Sequence, residues 1–455
     1  MDLTPPFSGG RFVGDDLWVP GPDGRPRQFV DLDSAATTSA SPAVVRAVQD
    51  FLPLYSSVHR GAGVTSRYTS ARYEEARGIV TRFVGADPAT HTTLFPRNTT
   101  EAMNQLAFRL GLTTDDVVLT TAVEHHANLL PWRRHAQLRV VDVDARGTFD
   151  ADAIITALDQ RPTPRVLAIT GGSNVTGWLP DLAPITAAAR ERGVLVVVDG
   201  AQLVPHRPVD MTALGIDVLV FSGHKMHAPF GAGALVVPQA LFAQGEPFLV
   251  GGGAVGAVSF DDVIWADGPD RDDAGSPNVV GVVALVAAAD ELRSDGWPGL
   301  LAHELKLVAA LDAELATVPG LFRLGTLDAD RLPVAAFTLD GCSHGLLAAR
   351  LAHEFAIGTR SGCFCAHPYM GRLLGLSDAA VTQFHDDVRA GNRDRVPGAV
   401  RVSANRNTDL TDIAVLGEAL REIADTPERA AWYEVDAHGD VVPRPTRRRR
   451  SPVGV

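Results

Sequence analysis

Cysteine is scarce in this chain, which has only three among 455 residues: Cys342, Cys363 and Cys365. An odd and sparse set does not form the disulfide framework that stabilises small secreted domains. Long hydrophobic runs are also missing, since no uninterrupted apolar stretch reaches the ~18–20 residues that a membrane-spanning helix needs. The first residues lack the basic and then apolar pattern of a signal peptide. These absences predict a cytoplasmic protein with no membrane segment.

An excess of positive charge is absent as well, because the formal net charge is -13. This balance argues against a nucleic acid or an anionic membrane as the partner of the protein body. The run Arg447–Arg450 is a local exception. It is typical of a solvated, disordered tail, and the alternative is a docking tail for an acidic partner.

Short apolar runs alternate with helix-length segments through the middle of the chain. A helix ending at Gly193 is predicted over 183–192, between two of these runs. Continuously apolar strands that flank a helix favour parallel pairing in a sheet covered on both faces. The predicted buried strands are Val117–Thr120, Val166–Ile169, Val194–Val198 and Val218–Phe221.

The sequence pattern changes near residue 300, where predicted long helices rich in Ala, Leu and Glu alternate with predicted short strands. A chain of 455 residues is also long enough for one large and one smaller domain. We therefore predict an α/β fold with a large domain over 31–300, whose mainly parallel sheet is covered by helices. A smaller C-terminal α/β domain is predicted over 301–433, with residues 1–30 packing on it and 434–455 forming the disordered basic tail.

One lysine directly follows a predicted strand, in a loop of small residues. Lys225 stands beside Ser222 and His224, which carry donors suited to a phosphate. A lysine forms a Schiff base readily when its surroundings lower its pKa. Taken alone, a lysine in such a segment is more often an ordinary exposed loop lysine.

An aspartate ends the preceding strand and favours a functional role for Lys225. Asp199 is expected to point into the ligand crevice at the carboxyl edge of an open α/β sheet. A carboxylate is needed there to pair with the pyridinium nitrogen of pyridoxal 5′-phosphate. Gln202 is placed to reach the ring oxygen or the Schiff base. A lone strand-end aspartate is often only a helix N-cap, but Asp199 and Lys225 together favour this cofactor.

Two further polar turns fit the same site. Thr100 lies in a turn that opens a helix, where backbone N–H groups and a hydroxyl bind phosphate. His125 follows the strand Val117–Thr120, and an imidazole there can stack on a flat ring and move protons. In isolation, Thr100 could be an ordinary helix cap and the pair His125-His126 a surface feature.

Together these segments resemble the class V aminotransferase-type pyridoxal-phosphate enzymes, most closely the group II cysteine desulfurases and selenocysteine lyases. The resemblance extends from about Asp31 to Ile423. It implies that His125 stacks on the cofactor and that Asn174 lies beside the ring and the substrate. It also implies that Ser276 donates to the phosphate of the neighbouring subunit's cofactor, in a homodimer. Supporting stretches are Val58–Gly61, Ser173–Gly177, Gly251–Gly253 and Ala274–Asn278.

A late loop carries two of the three cysteines. Arg360 lies close to Cys363 and Cys365, and a nearby cation lowers a thiol pKa. By resemblance, Cys365 matches the nucleophile that removes sulfur from L-cysteine, giving a persulfide and L-alanine. By the same resemblance, Arg401 grips the substrate carboxylate, with Arg360 as a second candidate. Only one of the two thiols is expected to face the cofactor.

Other interpretations of this loop stay open. The two cysteines could be small, inert core residues. A metal site built from Cys363, Cys365 and His367 is disfavoured because so short a loop does not readily supply a fourth ligand, and no metal is predicted. Segment 376–397 is longer than the resemblance leads us to expect, and its role is unassigned.

The prediction is therefore a pyridoxal 5′-phosphate enzyme that acts on L-cysteine as a homodimer and could pass sulfur to an acceptor protein. The alternative is a lyase, an epimerase or an aminotransferase that acts on another amino acid. A non-catalytic sulfur carrier or scaffold would leave Lys225, Asp199, Gln202 and His125 unexplained.

Overall fold

A computed structural model describes residues 12–391, 396–436 and 439–444. It has helices and strands in alternation along most of the chain. The helices are α1 Pro42–Phe51, α2 Val64–Phe83, α3 Thr99–Arg109, α4 Leu130–His135, α5 Ala151–Leu158, α6 Leu182–Glu191, α7 Met211–Leu214, α8 Gln239–Phe242, α9 Val279–Asp295, α10 Trp297–Ala316, α11 His344–Phe355, α12 His367–Leu373, α13 Asp378–Arg389 and α14 Leu410–Asp425. The strands are β1 Trp18–Pro20, β2 Pro26–Gln28, β3 Val30–Asp31, β4 His91–Leu94, β5 Val117–Thr121, β6 Gln137–Val141, β7 Val166–Thr170, β8 Leu195–Asp199, β9 Val218–Ser222, β10 Gly233–Pro238, β11 Val255–Val258, β12 Val263–Trp265, β13 Leu321–Leu324, β14 Val334–Leu339, β15 Ile357–Gly358, β16 Arg360–Gly362, β17 Ala399–Ser403, β18 Tyr433–Val435 and β19 Val441–Pro443.

A seven-stranded sheet in the order β4-β10-β9-β8-β7-β5-β6 forms the centre of the fold. Strands β9, β8, β7, β5 and β6 pair in parallel, whereas β10 is antiparallel to both β9 and β4. Strand β4 therefore runs in the same direction as the parallel set. The carboxyl ends of six strands, β4, β5, β6, β7, β8 and β9, consequently lie along one edge, where open α/β sheets bind ligands.

Neighbouring residues on each strand point to opposite faces of this sheet, and apolar clusters cover both faces. On one face, alternate strand residues such as Val118 and Val197 pack with Met103 of α3 and Trp132 of α4. Their neighbours on the other face pack against α2, α5, α6 and α9. Continuous Val and Leu runs are what a strand covered on both faces requires, and they explain why the four predicted strands were recognisable from sequence.

A second, four-stranded sheet in the order β13-β14-β17-β16 lies later in the chain, with all its pairs antiparallel. Helices α10, α11 and α14 share a separate apolar core with its inner face. In its register, Arg360 of β16 stands directly opposite Arg401 of β17. Both arginines consequently project from the same side of this sheet.

The sequence analysis is confirmed for the α/β class and the mainly parallel sheet, while the domain boundaries remain a prediction. The N-terminal segment does contact later elements, since β3 pairs in parallel with β15. Strands β18 and β19 form a hairpin at the start of the segment assigned to a basic tail. Arg447–Arg450 lie outside the described residues. No helix in the described part of the chain is long and apolar enough to cross a membrane.

Candidate functional site

A cavity of about 320 Å³ opens at the carboxyl edge of the central sheet. All but one of the site residues predicted from the sequence line it. These residues are Thr100, His125, Asn174, Asp199, Gln202, Ser222, His224, Lys225, Arg360, Cys365 and Arg401. The first eight lie on the central sheet, on the turns that follow its strands, or at the start of α3, and the second sheet and its loop supply the last three.

The amine of Lys225 is the electrostatic centre of this cavity. Burial lowers the pKa of Lys225 from 10.5 to about 8, while the negative charge of Asp199 raises it and Arg401 lowers it further. Asp199 is buried at the end of β8 and accepts a hydrogen bond from Ala201 N–H at 3.0 Å. Burial raises the pKa of Asp199, and the cationic form of Lys225 opposes that rise. The carboxylate of Asp199 and the amine of Lys225 thus shift each other's pKa in a site that is largely removed from water.

The first turn of α3 forms the other end of the cavity. Asn98 caps the helix by accepting from Glu101 N–H at 3.0 Å, and Thr100 in the first turn lines the cavity. Ser222 ties the turn to β9, because its hydroxyl accepts from Thr99 N–H at 2.8 Å. The N-terminus of an 11-residue helix, flanked by hydroxyls, suits a phosphate group.

His125 presents a neutral ring to the cavity. Its Nδ1 accepts from Ala127 N–H at 3.0 Å, which leaves the proton of the neutral ring on Nε2. Burial lowers the pKa of His125 to about 3, and the positive charge of Lys225 adds to this effect. An uncharged imidazole at physiological pH is suited to stacking on a flat aromatic ring.

Asp33 binds both arginines and was not singled out from the sequence. Its Oδ1 accepts from Arg401 Nη2 at 2.9 Å, and its Oδ2 lies 2.9 Å from Arg360 Nη2. Arg401 also donates through Nη1 to Asn174 O at 2.9 Å, while its buried Nε–H has no hydrogen-bond partner among the described residues. Two guanidinium groups thus face the cavity with donors to spare for a carboxylate.

The cysteine loop turns sharply between its two thiols. Phe364 and Cys365 have φ values of 52° and 54°, in the left-handed region that costs a non-glycine residue roughly 1–2 kcal/mol. Residues two apart on an extended chain share a side, so this turn is what separates Cys363 from Cys365. Asn174 Nδ2 donates to Phe364 O at 2.8 Å and holds the turn in place.

Cys363 faces a second cavity, of about 410 Å³, which lies beneath α12 and α13. Its thiol donates to Pro397 O at 2.9 Å. Burial raises the pKa of Cys363 to about 11, with Cys365 contributing in the same direction. The expectation that Arg360 lowers the thiol pKa is therefore wrong for Cys363. Most of segment 376–397 forms the roof of this second cavity, through α13.

Ser276 is the predicted site residue that lies outside the cavity of its own chain. It is exposed, in a turn whose Gly275 N–H donates to Gly252 O at 2.6 Å. Two of the four aspartates in the preceding stretch 267–273 lie beside arginines of the same chain. Asp273 pairs with Arg77, and Asp272 lies 3.5 Å from Arg109.

Comparisons with known proteins agree with this geometry. Residues 30–416 match the family described as Aminotransferase class-V. A cysteine desulfurase of Cronobacter sakazakii is 37% identical over 358 residues, which cover 76% of this chain and 86% of that protein. The structure resembles that of a cysteine desulfurase from Thermococcus onnurineus NA1, with a TM-score of 0.77, 28% identity, and coverage of 87% of this chain and 95% of that one. The cysteine desulfurase CsdA of Escherichia coli gives a TM-score of 0.73 at 33% identity, covering 89% of this chain and 94% of its own.

The lowered pKa of Lys225 makes its reactivity toward aldehydes a first prediction. Only the neutral amine attacks a carbonyl, so in the cofactor-free protein the rate of adduct formation should rise with pH around a midpoint near 8 rather than 10.5. Borohydride trapping of an aldehyde probe, followed by mass spectrometry of the Lys225 peptide, measures this rate. Asp199→Asn removes a charge that raises the pKa, and it should move the midpoint lower. A midpoint near 10 would contradict the assignment.

The pairing of Asp33 with Arg401 gives a second prediction. Asp33→Ala leaves a buried guanidinium without its counter-ion, and should reduce the free energy of unfolding by about 3 kcal/mol. The double variant Asp33→Ala with Arg401→Met should recover most of that loss in chemical denaturation. Asp23→Ala is the control, because Asp23 pairs with Arg25 on the exposed surface at 4.0 Å. Equal losses in Asp33→Ala and Asp23→Ala would refute the pairing.

Proposed function

Because the chain belongs to the class-V aminotransferase family, we propose that it is a pyridoxal 5′-phosphate-dependent cysteine desulfurase. It converts L-cysteine to L-alanine and retains the sulfur as a persulfide on Cys365. The observation that carries this proposal is that a lysine whose pKa is lowered by desolvation and an exposed thiol line the same cavity. Relatives over most of the chain bear the name cysteine desulfurase. The predicted cytoplasmic location and an acceptor protein for the sulfur complete the proposal.

The residues present fit the cofactor in kind and in position. Asp199 would hold the ring nitrogen, His125 would cover the ring face, and Lys225 would bind the aldehyde carbon. Hydroxyls and N–H groups at the start of α3 would hold the phosphate, with Ser222 and His224 beside them. Gln202 faces the same space, with its amide anchored to Ala35 O at 2.8 Å. When bound, the cofactor withdraws electrons from the α-carbon of the attached amino acid.

The substrate carboxylate is proposed to bind between Arg401 and Arg360. Asp33 holds both guanidinium groups on the cavity side, and a carboxylate can take the donors that remain. Lys225, with a pKa lowered to about 8 mainly by burial, exchanges a proton readily near neutral pH. Its Nζ is proposed to move the proton at the α-carbon of L-cysteine.

The sulfur step is a displacement at the sulfur atom of L-cysteine. The thiolate of Cys365 attacks that atom, so a new S–S bond forms while the C–S bond of the substrate breaks. The electron pair of the broken bond stays with the carbon skeleton, which takes up a proton and becomes L-alanine. No external oxidant is needed, because the sulfur gained by Cys365 balances the reduced carbon.

Cys365 rather than Cys363 is proposed as the nucleophile because of where each thiol lies. Cys365 is exposed and lines the cavity beside Arg360 and Arg401. Cys363 is turned toward the second cavity, and its pKa of about 11, raised by burial, keeps it a thiol at neutral pH. A thiolate is the reactive form in such displacements.

The nucleophile assignment predicts opposite results for two serine variants. Cys365→Ser should lose alanine formation from L-cysteine by about two orders of magnitude or more, because a hydroxyl is a poor nucleophile toward sulfur. Cys363→Ser should keep most of the activity, and Cys342→Ser is the control for a remote thiol. Mass spectrometry after brief exposure to L-cysteine should find added sulfur on Cys365. If both Ser variants form alanine normally, another pyridoxal reaction replaces the proposed one.

A homodimer is proposed from the exposed apolar surface around the β11–β12 hairpin. Phe260 at its tip is fully exposed, and Val250, Val258 and Ile264 are mostly exposed. Several exposed apolar side chains on one hairpin are typical of an interaction site. The Ser276 turn joins the base of the hairpin through Gly275, so a second copy seated here would bring Ser276 toward the site of its neighbour.

Phe260→Asp should therefore convert a dimer to a monomer and reduce activity in parallel. A charge in the centre of an apolar interface costs far more than it does on an open surface. Phe322→Asp is the matched control, because Phe322 is an exposed phenylalanine on β13 of the other sheet. Sedimentation and alanine formation at the same concentration measure the outcome. An active monomer of the native chain would contradict the shared-site proposal.

A further inference from the structure

His126 contacts the nucleophile loop at two points. Its backbone N–H donates to Cys365 O at 2.7 Å. Its ring Nε2 accepts from His367 N–H at 3.2 Å and also lies 3.2 Å from the ring Nδ1 of His367. One residue therefore spans the three-residue turn that begins at Cys365, donating to one end and accepting from the other.

The segment that carries His126 is anchored in the large sheet. Glu124 accepts from Thr121 Oγ1 at 2.6 Å, from Asn128 Nδ2 at 2.7 Å and from Thr170 N–H at 3.1 Å. These bonds tie the turn after β5 to the end of β7 on both sides of His126. The contact with Cys365 is thus made from a rigid base, as precise positioning of a reacting group requires.

Ring stacking reinforces the same contact. The rings of His126 and His367 are 4.9 Å apart and nearly parallel, at 6°. The ring of Phe384 on α13 continues the stack, at 6.0 Å and 15° from His367. The column connects segment 376–397, which the proposed reaction does not use, to the loop that carries Cys365.

We propose that His126 is the positioning residue for Cys365, holding the strained turn so that the thiol faces the cofactor cavity. The adjacent histidines then have separate tasks: His125 faces the cofactor, and His126 holds the nucleophile loop. This inference rests on the proposed function for its catalytic consequence. The hydrogen bond to His367 is independent of that function.

Three substitutions of His126 separate hydrogen bonding from stacking. His126→Ala removes both side-chain interactions and keeps the backbone bond to Cys365 O. His126→Phe retains a ring without an acceptor, and His126→Gln places an amide oxygen within reach of His367 N–H. In the holoenzyme, the Ala and Phe variants should lower kcat for alanine formation by on the order of tenfold to a hundredfold. KM and cofactor absorbance should change little, because Arg401, Lys225 and His125 are untouched. The Gln variant should recover most of the lost kcat.

Amide hydrogen exchange provides a readout that does not depend on activity. The His367 amide should exchange at least tenfold faster in the Ala and Phe variants, and at nearly the native rate in the Gln variant. His135→Ala is the matched control, a histidine at the end of α4 away from the loop, and it should change neither readout. If His126→Ala loses the cofactor, the comparison of the Gln and Phe variants at full cofactor loading still tests whether the hydrogen bond to His367 positions Cys365.

Native kcat and native His367 exchange in His126→Ala would overturn the proposal. Recovery by Phe as complete as that by Gln would also overturn it, since stacking alone would then suffice. A native enzyme that forms no alanine while the exchange pattern holds would instead refute the proposed function, so the two failures are distinguishable.

Discussion

The burial of the Lys225 amine is the constraint on which the rest of the site depends. An ammonium ion removed from water loses hydration energy that a protein can only partly replace. Burial lowers the pKa of Lys225 to about 8, and Asp199 limits the fall by raising it. The amine is therefore kept between its charged and neutral forms near physiological pH. A fully exposed lysine would remain charged, and without Asp199 the pKa of Lys225 would be lower still.

A second buried cation makes this balance harder to keep. Arg401 lowers the pKa of Lys225, so the positive charge of Arg401 has to be neutralised by another group. Asp33 does this from the N-terminal part of the chain, and it binds Arg360 with its other oxygen. Arg360 on β16 is directly paired with Arg401 on β17, so one carboxylate can reach both side chains. The site is complete only when the central sheet, the second sheet and the N-terminal segment meet.

The parts of this arrangement that follow local rules could be predicted from the sequence. Strands buried on both faces are continuous apolar runs, so Lys225 and Asp199 could be placed at strand ends. Asp33 could not be found in this way, because its partner Arg401 is 368 positions away and no local pattern links them. The left-handed turn at Phe364 and Cys365 was also hidden, since neither residue is a glycine. His125 and His126 look equivalent in sequence, and only the turn that follows β5 gives them different neighbours.

The same turn explains how two thiols only one residue apart can differ in chemistry. A regular extended loop would direct both to one side and expose both to the same cations. Two left-handed residues cost the chain roughly 2–4 kcal/mol, and a structure retains such strain only where its surroundings hold it. Here Asn174 binds Phe364 O and His126 binds Cys365 O. In addition, the guanidinium of Arg401 lies 5.2 Å from the centre of the Phe364 ring. Arg401 thus contacts both the aromatic ring that anchors the turn and the carboxylate of Asp33. The proposed substrate-binding cation and the nucleophile loop are therefore one packed unit, so a disturbance of either is transmitted to the other.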